Sequence, residues 1–318
     1  MSQVTIVEVA PRDGFQSVKE FIPTETKIKI VEALAATGVP RMEIGSFVSP
    51  KAIPQMADTA EVLKRARLPA TLRTHVLVPN RKGLELAKAA GVKEVCWVLS
   101  VSESHNQSNV RRSVDQSFAD FEEAWKEQGE GLKLRFALAT SFDCPFEGRT
   151  PEARVIACVE RVLKIVDELE ISIADTTGRA APNHVRGLFS TLVRNYGSDK
   201  VQFSFHGHDT YNLGVANAIA AYEAGVRIID GAAAGLGGCP FAPGATGNTA
   251  TEDLVFAFEH MGISTGIDFA KLLEAADMVQ AVAPSQAGGR VRTVSRQRAL
   301  AGFGENTRGL PPEVAACA

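Results

Sequence analysis

The stretch KVQFSFHGH, residues 200–208, alternates apolar and polar side chains as a half-buried β-strand does. One face of that strand carries the apolar residues Val201, Phe203 and Phe205. The other face carries the polar residues Gln202, Ser204, His206 and His208. Because side chains alternate along a strand, both imidazoles point to the same side of the sheet, and the aromatic rings pack on the opposite side.

Seven further strand-like runs alternate with amphipathic helical patterns along the chain. The eight predicted strands lie near residues 4–10, 41–47, 71–78, 93–100, 132–141, 170–176, 200–208 and 227–235. A typical connecting helix is PTETKIKIVEALAATG, in which Thr24 is expected to cap the start and Gly38 to end the helix. Eight strand–helix pairs predict an α/β fold of the (β/α)8, or TIM barrel, type, since a doubly wound sheet usually needs fewer strands.

Composition and charge favour a small-molecule partner. The 318 residues are 45% hydrophobic, enough for a large core. With 34 Lys and Arg against 37 Asp and Glu, the net charge of -3 offers no basic field for nucleic acid or for a membrane surface. The five scattered cysteines resemble reduced thiols, and no basic leader or membrane-length apolar run is visible. We therefore expect a cytoplasmic protein.

A barrel fold predicts where the active site lies, because the active sites of these barrels are at the carboxyl ends of the strands. Several polar residues are expected there: Arg12, Asp13, Glu43, Asp175, His206 and His208. The glycine-rich loop GLGGCPFAPGATGN, residues 235–248, follows the last strand. These residues are the candidates for a functional site.

A divalent metal site is one interpretation of the histidine pair. Asp13 follows the first strand, which adjoins the eighth in a closed barrel, and can add a carboxylate oxygen to the two imidazoles. Such a nitrogen and oxygen set suits Mg²⁺, Mn²⁺ or Zn²⁺. The alternatives are a polar rim for the HxH pair and a simple Arg12–Asp13 ion pair. His105, in the loop after the fourth strand, faces the same side without an obvious partner.

Five motifs together resemble those of the hydroxymethylglutaryl-CoA lyase family, metal-dependent barrels related to the isopropylmalate and homocitrate synthases. They are APRDGFQ, MEIGSFVSPKAIPQM, SIADTTG, FHGHDTYN and AGLGGCPFAPGATGNTATEDL. The landmarks agree in order and spacing from about residue 4 to about residue 280. The glycine-rich loop lacks the P-loop ending of a nucleotide-phosphate site. The sixth strand has no lysine that could form a Schiff base, so a lysine-dependent aldolase is disfavoured.

The resemblance implies roles for individual residues. The implied metal ligands are Asp13, His206, His208 and Asn248. The implied catalytic residues are Arg12, Glu43, Cys239 and Asp175, the last as a carboxylate that fixes the tautomer of a metal histidine. The implied substrate contacts are Gln16, Ser46 and Ser172. Considered alone, Asn248 can instead cap the next helix, and Cys239 can be a small buried hydrophobe.

The implied activity is retro-Claisen cleavage of (S)-3-hydroxy-3-methylglutaryl-CoA to acetyl-CoA and acetoacetate, a step of leucine degradation. The cofactor would be Mg²⁺ or Mn²⁺, with Zn²⁺ as an alternative. Two other activities stay open: a lyase for citramalyl-CoA, 3-methylmalyl-CoA or a longer 3-hydroxyglutaryl-CoA, and a condensing synthase. The acyl chain would be selected by pocket walls such as Phe15, Phe47 and Phe142.

We predict a catalytic barrel over residues 1–284 and a C-terminal extension over residues 285–318. The extension is rich in glycine and arginine, and four arginines could meet CoA phosphates or a neighbouring subunit or be solvated: Arg290, Arg292, Arg296 and Arg298. The expected partners are an acyl-CoA substrate and a second copy of the chain in a homodimer, without nucleic acid or membrane.

Overall fold

Eight parallel strands close into a barrel in a computed structural model, which describes residues 3–238, 247–301 and 303. The strands are β1 Thr5–Glu8, β2 Arg41–Ser46, β3 Arg73–Val78, β4 Glu94–Ser100, β5 Lys133–Ala139, β6 Asp143–Cys144, β7 Gly148–Arg149, β8 Leu169–Asp175, β9 Val201–Gly207 and β10 Ile228–Gly231. The barrel order is β1, β10, β9, β8, β5, β4, β3, β2, and β6 and β7 form a separate hairpin. The predicted (β/α)8 fold is confirmed, and each barrel strand overlaps its predicted range.

Helices separate the barrel strands and cover their outer faces. They are α1 Thr24–Ala35, α2 Thr59–Arg65, α3 Arg81–Ala89, α4 Glu103–Val110, α5 Val114–Gln128, α6 Glu152–Leu163, α7 Pro182–Tyr196, α8 Gly214–Glu223, α9 Thr251–His260, α10 Phe269–Val282 and α11 Arg296–Leu300. Short 3₁₀ turns occupy Pro54–Met56, Ala233–Gly235 and Val291–Thr293.

The alternation of β9 places its two aromatic rings in the core between strands and helices. Phe203 and Phe205 are buried, and the Phe205 ring lies 6.0 Å from that of Phe189 in α7. Ser204 instead points into the barrel, where its hydroxyl contacts Arg135. The two faces predicted from residues 200–208 are therefore confirmed.

The lower part of the barrel interior holds paired charges rather than apolar side chains. Arg41 in β2 donates hydrogen bonds of 2.5 Å to Glu94 in β4 and to Glu170 in β8. All three side chains are buried. Buried charges of this kind are tolerated only when they are paired, so these contacts tie together strands from different parts of the chain.

One turn after β1 departs from a regular loop. Residues Ala10–Gly14 form a π-helical turn, in which the backbone N–H groups of Arg12 and Asp13 both point to the Val9 carbonyl. Glu8 fixes this turn, since its Oε1 accepts from the backbone of Ala10 at 2.8 Å and of Ala233 at 2.9 Å. The π-helical turn thus sets the direction of the site residues that follow β1.

The expected cap of α1 is wrong. The helix is preceded by Pro23, and no side chain caps its first turn. The Thr24 hydroxyl donates instead to Asp58 at 2.8 Å, because the neighbouring segment brings a carboxylate within reach. Gly38 does lie just past the helix end, with φ +83°, as expected for the residue that reverses the chain.

The described part of the C-terminal extension packs on the barrel. The Gly288 amide donates to the carbonyl of Ala234 at 2.7 Å, and Asp253 accepts from the backbone of Arg290 and Val291. Gln286 Oε1 accepts from the Ser17 hydroxyl at 3.1 Å. These contacts fasten the extension to α9 and to the loops at the carboxyl ends of β1 and β10.

Three arginines of the extension, Arg290, Arg292 and Arg296, meet intrachain partners. Arg292 donates to Gln280 at 2.6 Å and Arg296 to Asp277 at 2.5 Å, while Arg290 reaches Asn212 at 3.4 Å. These contacts favour a role in fastening the extension. No helix in the described residues has the length and apolar content needed to cross a membrane.

Candidate metal and substrate site

A cavity of about 920 Å³ opens at the carboxyl ends of the barrel strands, where the fold predicts the active site. Alternate residues of the strands line it, which is the pattern expected of inward-facing positions. The lining strand residues are Glu43, Leu77, Cys96, Val98, Arg135, Ala137, Ala139, Ser172, Ala174, His206 and Asp230. The cavity therefore combines an apolar wall with a polar, charged end.

The sequence-predicted metal residues Asp13, His206 and His208 meet at the polar end of the cavity. One ligand atom from each of the three lies within 4.8 Å of the others. His206 Nε2 is 3.9 Å from Asp13 Oδ2, and the two imidazole rings are 5.3 Å apart. A carboxylate oxygen and two imidazole nitrogens converging in this way fit a divalent cation of intermediate or hard character.

Asn248 joins this cluster from the loop before α9. Its Nδ2 donates to Asp13 Oδ2 at 2.7 Å and to the Leu236 carbonyl at 3.1 Å. Its Oδ1 is buried and has no hydrogen-bond partner among the described residues. A buried acceptor without a partner is costly, so this oxygen fits a fourth ligand for the ion.

A glycine is required where the loop passes Asn248. Gly237 has φ +150°, and a Cβ there would lie 2.5 Å from Asn248 Nδ2. A side chain at this position would displace the amide from Asp13. The glycine-rich sequence therefore serves the close approach of the loop to the metal residues.

Electrostatics around Asp13 favour the charged carboxylate. Burial alone would raise the pKa of Asp13, but the Arg12 guanidinium and the two imidazoles together lower it to about 2. Burial, helped by the neighbouring His206, lowers the pKa of His208 to about 4, so His208 is a neutral ligand near pH 7. Asp13 and His208 thus offer deprotonated donors, as cation binding demands, whereas the burial of His206 is outweighed by its contact with Asp230, which raises the pKa of His206.

Arg12 is held between two carboxylates. It contacts Asp13 through Nη1 and Glu43 Oε2 through Nε at 2.5 Å. Burial lowers the Arg12 pKa, but the two carboxylates outweigh this and raise it, so the guanidinium stays charged. Glu43 is buried, and its second oxygen lies 3.7 Å from His75 Nε2. Glu43 therefore fixes the direction of Arg12 toward the cavity.

The carboxylate on a metal histidine is Asp230, not the expected Asp175. Asp230 Oδ2 lies 3.0 Å from His206 Nδ1, whereas Asp175 Oδ2 accepts from the backbone N–H of Ala180 at 3.1 Å. Burial raises the Asp175 pKa to about 7, against the backbone hydrogen bonds that lower it. Asp175 thus shapes the turn after β8. The signal for Asp230 was an acid near the end of the otherwise apolar eighth strand.

The three predicted substrate contacts fall in different places. Gln16 lines the cavity and donates to Asp13 Oδ1 at 2.9 Å. Ser172 also lines it, and its hydroxyl accepts from Arg135 at 3.0 Å. Ser46 is buried beside the cavity, and its hydroxyl donates to the Leu77 carbonyl at 3.1 Å. Two of the three are therefore positioned to meet a substrate.

The predicted aromatic pocket walls are wrong. Phe15 and Phe142 are fully buried in the hydrophobic core, and the partly buried Phe47 packs against that core. The apolar wall of the cavity consists instead of smaller side chains: Ile53, Leu77, Val98, Ala137, Ala139 and Ala174. These phenylalanines are in loops, where strand alternation does not fix their direction.

The two remaining candidates are His105 and Cys239. His105 lines the cavity, with Nδ1 2.7 Å from the Ser100 hydroxyl, and burial lowers its pKa to about 4. It is therefore a neutral polar group of the wall. Cys239, the predicted proton-transfer residue, lies outside the described residues, which include its neighbour Gly238 at the cavity edge.

Comparisons with known proteins agree with this geometry. The family model described as HMGL-like matches residues 3–279. The chain is 41% identical to the (R)-citramalyl-CoA lyase of Chloroflexus aurantiacus, over 88% of this chain and 91% of that protein. It is 42% identical to the mitochondrial hydroxymethylglutaryl-CoA lyase of Bos taurus, over 86% of this chain and 83% of that protein.

Solved structures give the same result. An HMG-CoA lyase from Acenitobacter baumannii, in complex with coenzyme A and 3-methylmalate, superposes with a TM-score of 0.86 and 40% identity. That alignment covers 92% of this chain and 95% of the other. From the match over residues 3–279 and these relatives, the chain belongs to the HMGL-like family.

Proposed function

We propose that this protein is a divalent-metal-dependent carbon–carbon lyase that cleaves (S)-3-hydroxy-3-methylglutaryl-CoA to acetyl-CoA and acetoacetate. The observation that carries the proposal is the convergence of Asp13, His206 and His208 beside Arg12 in a cavity large enough for an acyl-CoA headpiece. Relatives named hydroxymethylglutaryl-CoA lyase, about 40% identical over most of the chain, support it.

The cation would be held by Asp13, His206, His208 and the Asn248 amide oxygen. When bound, a divalent ion supplies Lewis acidity that lowers the pKa of the substrate's tertiary alcohol. The nitrogen and oxygen donor set suits Mg²⁺, Mn²⁺ or Zn²⁺, and we propose Mg²⁺ or Mn²⁺, with Zn²⁺ as the alternative. Gln16 is bonded to the other Asp13 oxygen and keeps the carboxylate in one orientation.

Arg12 would stabilise the charge that develops as the carbon–carbon bond breaks. Electrons then move onto the thioester oxygen, and a guanidinium is a fitting electrophile because it does not deprotonate. Its contacts with Glu43 and Asp13 fix it before the substrate arrives. Losing a preorganised donor of this type costs roughly 3–4 kcal/mol in the barrier.

Cys239 would return a proton to the enolate, giving the acetyl-CoA product. Its sequence neighbour Gly238 lines the cavity, which supports this assignment. Gly235 and Gly237, with φ of +56° and +150°, give this loop a backbone course that side-chain-bearing residues rarely adopt. Ser172 and Gln16 are the proposed polar contacts with the acyl group.

A second candidate substrate is citramalyl-CoA or another branched 3-hydroxyacyl-CoA. The 41% identity with a citramalyl-CoA lyase favours it, and the alanine-rich wall formed by Ala137, Ala139 and Ala174 leaves room for altered acyl groups. Both reactions use the same metal residues and arginine. The two candidates therefore differ in substrate and share their chemistry.

A panel of acyl-CoA substrates tests the proposal. Purified protein with Mg²⁺ or Mn²⁺ is expected to release acetoacetate and acetyl-CoA from hydroxymethylglutaryl-CoA, and the His206→Ala variant is the inactive control. Cleavage of citramalyl-CoA alone would select the second candidate. If neither thioester is cleaved with any of the three metals, the lyase proposal is wrong.

The homodimer and the cytoplasmic location stay predictions. Sedimentation of the purified protein checks the first, and fractionation of the source cells checks the second. The division into a barrel, residues 1–284, and an extension, residues 285–318, also stays a prediction. Limited proteolysis checks that division, with cleavage near residues 284–285 expected before the barrel is attacked.

A further inference from the structure

We propose that Arg135 and Asp230 form a positioning pair that holds His206 in the tautomer and orientation needed to bind the metal. The inference rests on the proposed metal-dependent function and adds two residues that act on the ion through His206. It concerns how the His206 ring is oriented before any ion binds.

The pair is defined by three contacts around one carboxylate. Both oxygens of Asp230 accept from Arg135 Nη2 at 2.7 Å. The oxygen Oδ2 also lies 3.0 Å from His206 Nδ1. Arg135 and Asp230 are buried, so solvent does not compete for these contacts.

These contacts assign the hydrogen on the imidazole. Arg135 has only donors, and Asp230 faces it with both oxygens, so the carboxylate acts as the acceptor. The hydrogen between Asp230 and His206 then belongs to Nδ1. In the neutral ring Nε2 is left with its lone pair, and this atom is 3.9 Å from Asp13 Oδ2, on the side where the candidate ligands converge.

Arg135 is itself fixed from two further strands. Its Nη2 donates to the hydroxyls of Ser172 in β8 at 3.0 Å and of Ser204 in β9 at 3.3 Å. Its Nε lies 3.3 Å from Glu170 in β8. The guanidinium therefore cannot shift without breaking contacts to several strands, and it transmits that rigidity to Asp230.

The consequence is a chain of contacts from the barrel interior to the metal site. Arg135 fixes Asp230, and Asp230 fixes the His206 ring through Nδ1. Partners of this kind raise the affinity of a metal ligand and are typically worth about 10–100-fold in metal binding. A purely structural role for the pair would instead affect folding stability alone.

Metal affinity is the first test. Mn²⁺ titration, followed by electron paramagnetic resonance of the free ion, should show about 10–100-fold weaker binding for Asp230→Ala. Asp230→Asn should lose less, because its amide oxygen can still accept from Nδ1. Arg135→Lys should fall between wild type and Asp230→Ala, since an ammonium keeps the charge but not the Nε contact with Glu170 that fixes the guanidinium.

The control is Glu94→Gln, which damages the charged barrel interior elsewhere. Glu94 pairs with Arg41 and Arg73, so its loss should lower the melting temperature while leaving Mn²⁺ affinity within about twofold of wild type. If Glu94→Gln weakens Mn²⁺ binding as much as Asp230→Ala does, the effect is general destabilisation and the proposal is wrong.

The tautomer is the second test, and it needs no metal and no activity. Nitrogen NMR of the metal-free, histidine-labelled protein should show His206 protonated at Nδ1 in wild type and in Asp230→Asn, assigned by comparison with His206→Gln. A wild-type ring protonated at Nε2 alone would overturn the proposal even if the enzyme is active. Correct tautomers in a protein that neither binds metal nor cleaves thioesters would instead contradict the proposed function.

Discussion

The side-chain amide of Asn248 donates a 2.7 Å hydrogen bond to Asp13 Oδ2, across 235 positions of sequence. This bond joins the π-helical turn after β1 to the loop before α9, at the seam where the first and last barrel strands meet. Because the amide nitrogen is engaged by Asp13 and by Leu236, the amide oxygen is left as the acceptor for a cation.

We expect Asn248→Ala to weaken Mn²⁺ binding about 10-fold or more, because it removes a ligand and the bond that orients Asp13. The matched control is Asn217→Ala in α8. Asn217 is also buried, with its amide nitrogen donating to Ala180 and its oxygen unpaired among the described residues, but it does not line the cavity. Isothermal titration should show metal affinity lost in the first variant alone.

Metal binding and proton transfer should separate in two variants. His206→Ala is expected to abolish binding of the divalent ion, since it removes a ligand nitrogen. Cys239→Ala is expected to retain the ion and lose turnover, because its proposed role is to move a proton. Metal analysis together with kcat measures both effects, and wild-type metal content in His206→Ala would refute the assigned site.

Arg12→Lys should lower kcat about 10²–10³-fold while the protein still binds Mn²⁺. A lysine keeps the charge but cannot maintain the contacts of Nε with Glu43 and of Nη1 with Asp13. Arg65→Lys, at an exposed ion pair with Glu61, is the control and should leave kcat unchanged. Wild-type kcat in Arg12→Lys would exclude the guanidinium as the electrophile.

Stability should fall as pH rises from about 4.5 to about 8, in part because of Glu252. Burial, the largest cause, and the charge of Asp253 raise the Glu252 pKa to about 8 from its ordinary 4.5. The folded state therefore binds this proton more tightly than the unfolded state. Its stabilising effect is complete below pH 4.5 and is lost as pH rises through the folded pKa, on the order of a few kcal/mol in all.

Glu252→Gln should flatten this part of the pH profile, since the amide oxygen can still accept from the Ala234 backbone. Urea unfolding at several pH values between 5 and 9 measures the free energy. The exposed Glu223→Gln variant serves as a control and should keep the wild-type slope. A Glu252→Gln protein with an unchanged slope would show that the carboxyl does not carry the effect.

Gly289→Ala should destabilise the attached extension. This glycine has φ +81°, and a Cβ there would lie 2.7 Å from Glu252 Oε1 and 3.2 Å from the Ala250 Cβ. Gly262→Ala is the matched control, with φ +74° and nothing within 4 Å of the added atom. Backbone strain should cost about 1–2 kcal/mol in both, and crowding should add ~1 kcal/mol or more in Gly289→Ala alone. Thermal unfolding measures the difference.

Much of the fold was predictable because strand alternation and helical periodicity are local signals. Residues 200–208 illustrate this, since their pattern gave the directions of Phe205 and His206 correctly. The π-helical turn at Ala10–Gly14 and the hairpin of β6 and β7 were not predicted. The first depends on hydrogen bonds between Glu8 and β10's loop, which a local pattern does not contain.

Site residues that belong to a sequence motif were predictable. Residues whose partner or direction is set by tertiary contacts were less so. Asp13, His206 and His208 converge as expected. The Asp230 contact with His206 was missed because an acid within a strand carries no partner information of its own. The aromatic walls were misplaced for a related reason: the direction of a loop side chain such as Phe142 is set by the core around it.

The extension contributes to the cavity from outside the segment that the family model covers. Gln286 lines the cavity and accepts from Ser17, while every candidate metal ligand lies within residues 3–279. The chemistry and one boundary of the substrate space are therefore encoded in separate stretches of the gene. Exchanging the C-terminal extension between relatives would change which acyl groups fit the cavity while leaving the metal residues intact. The extension is therefore a natural place to engineer substrate selectivity.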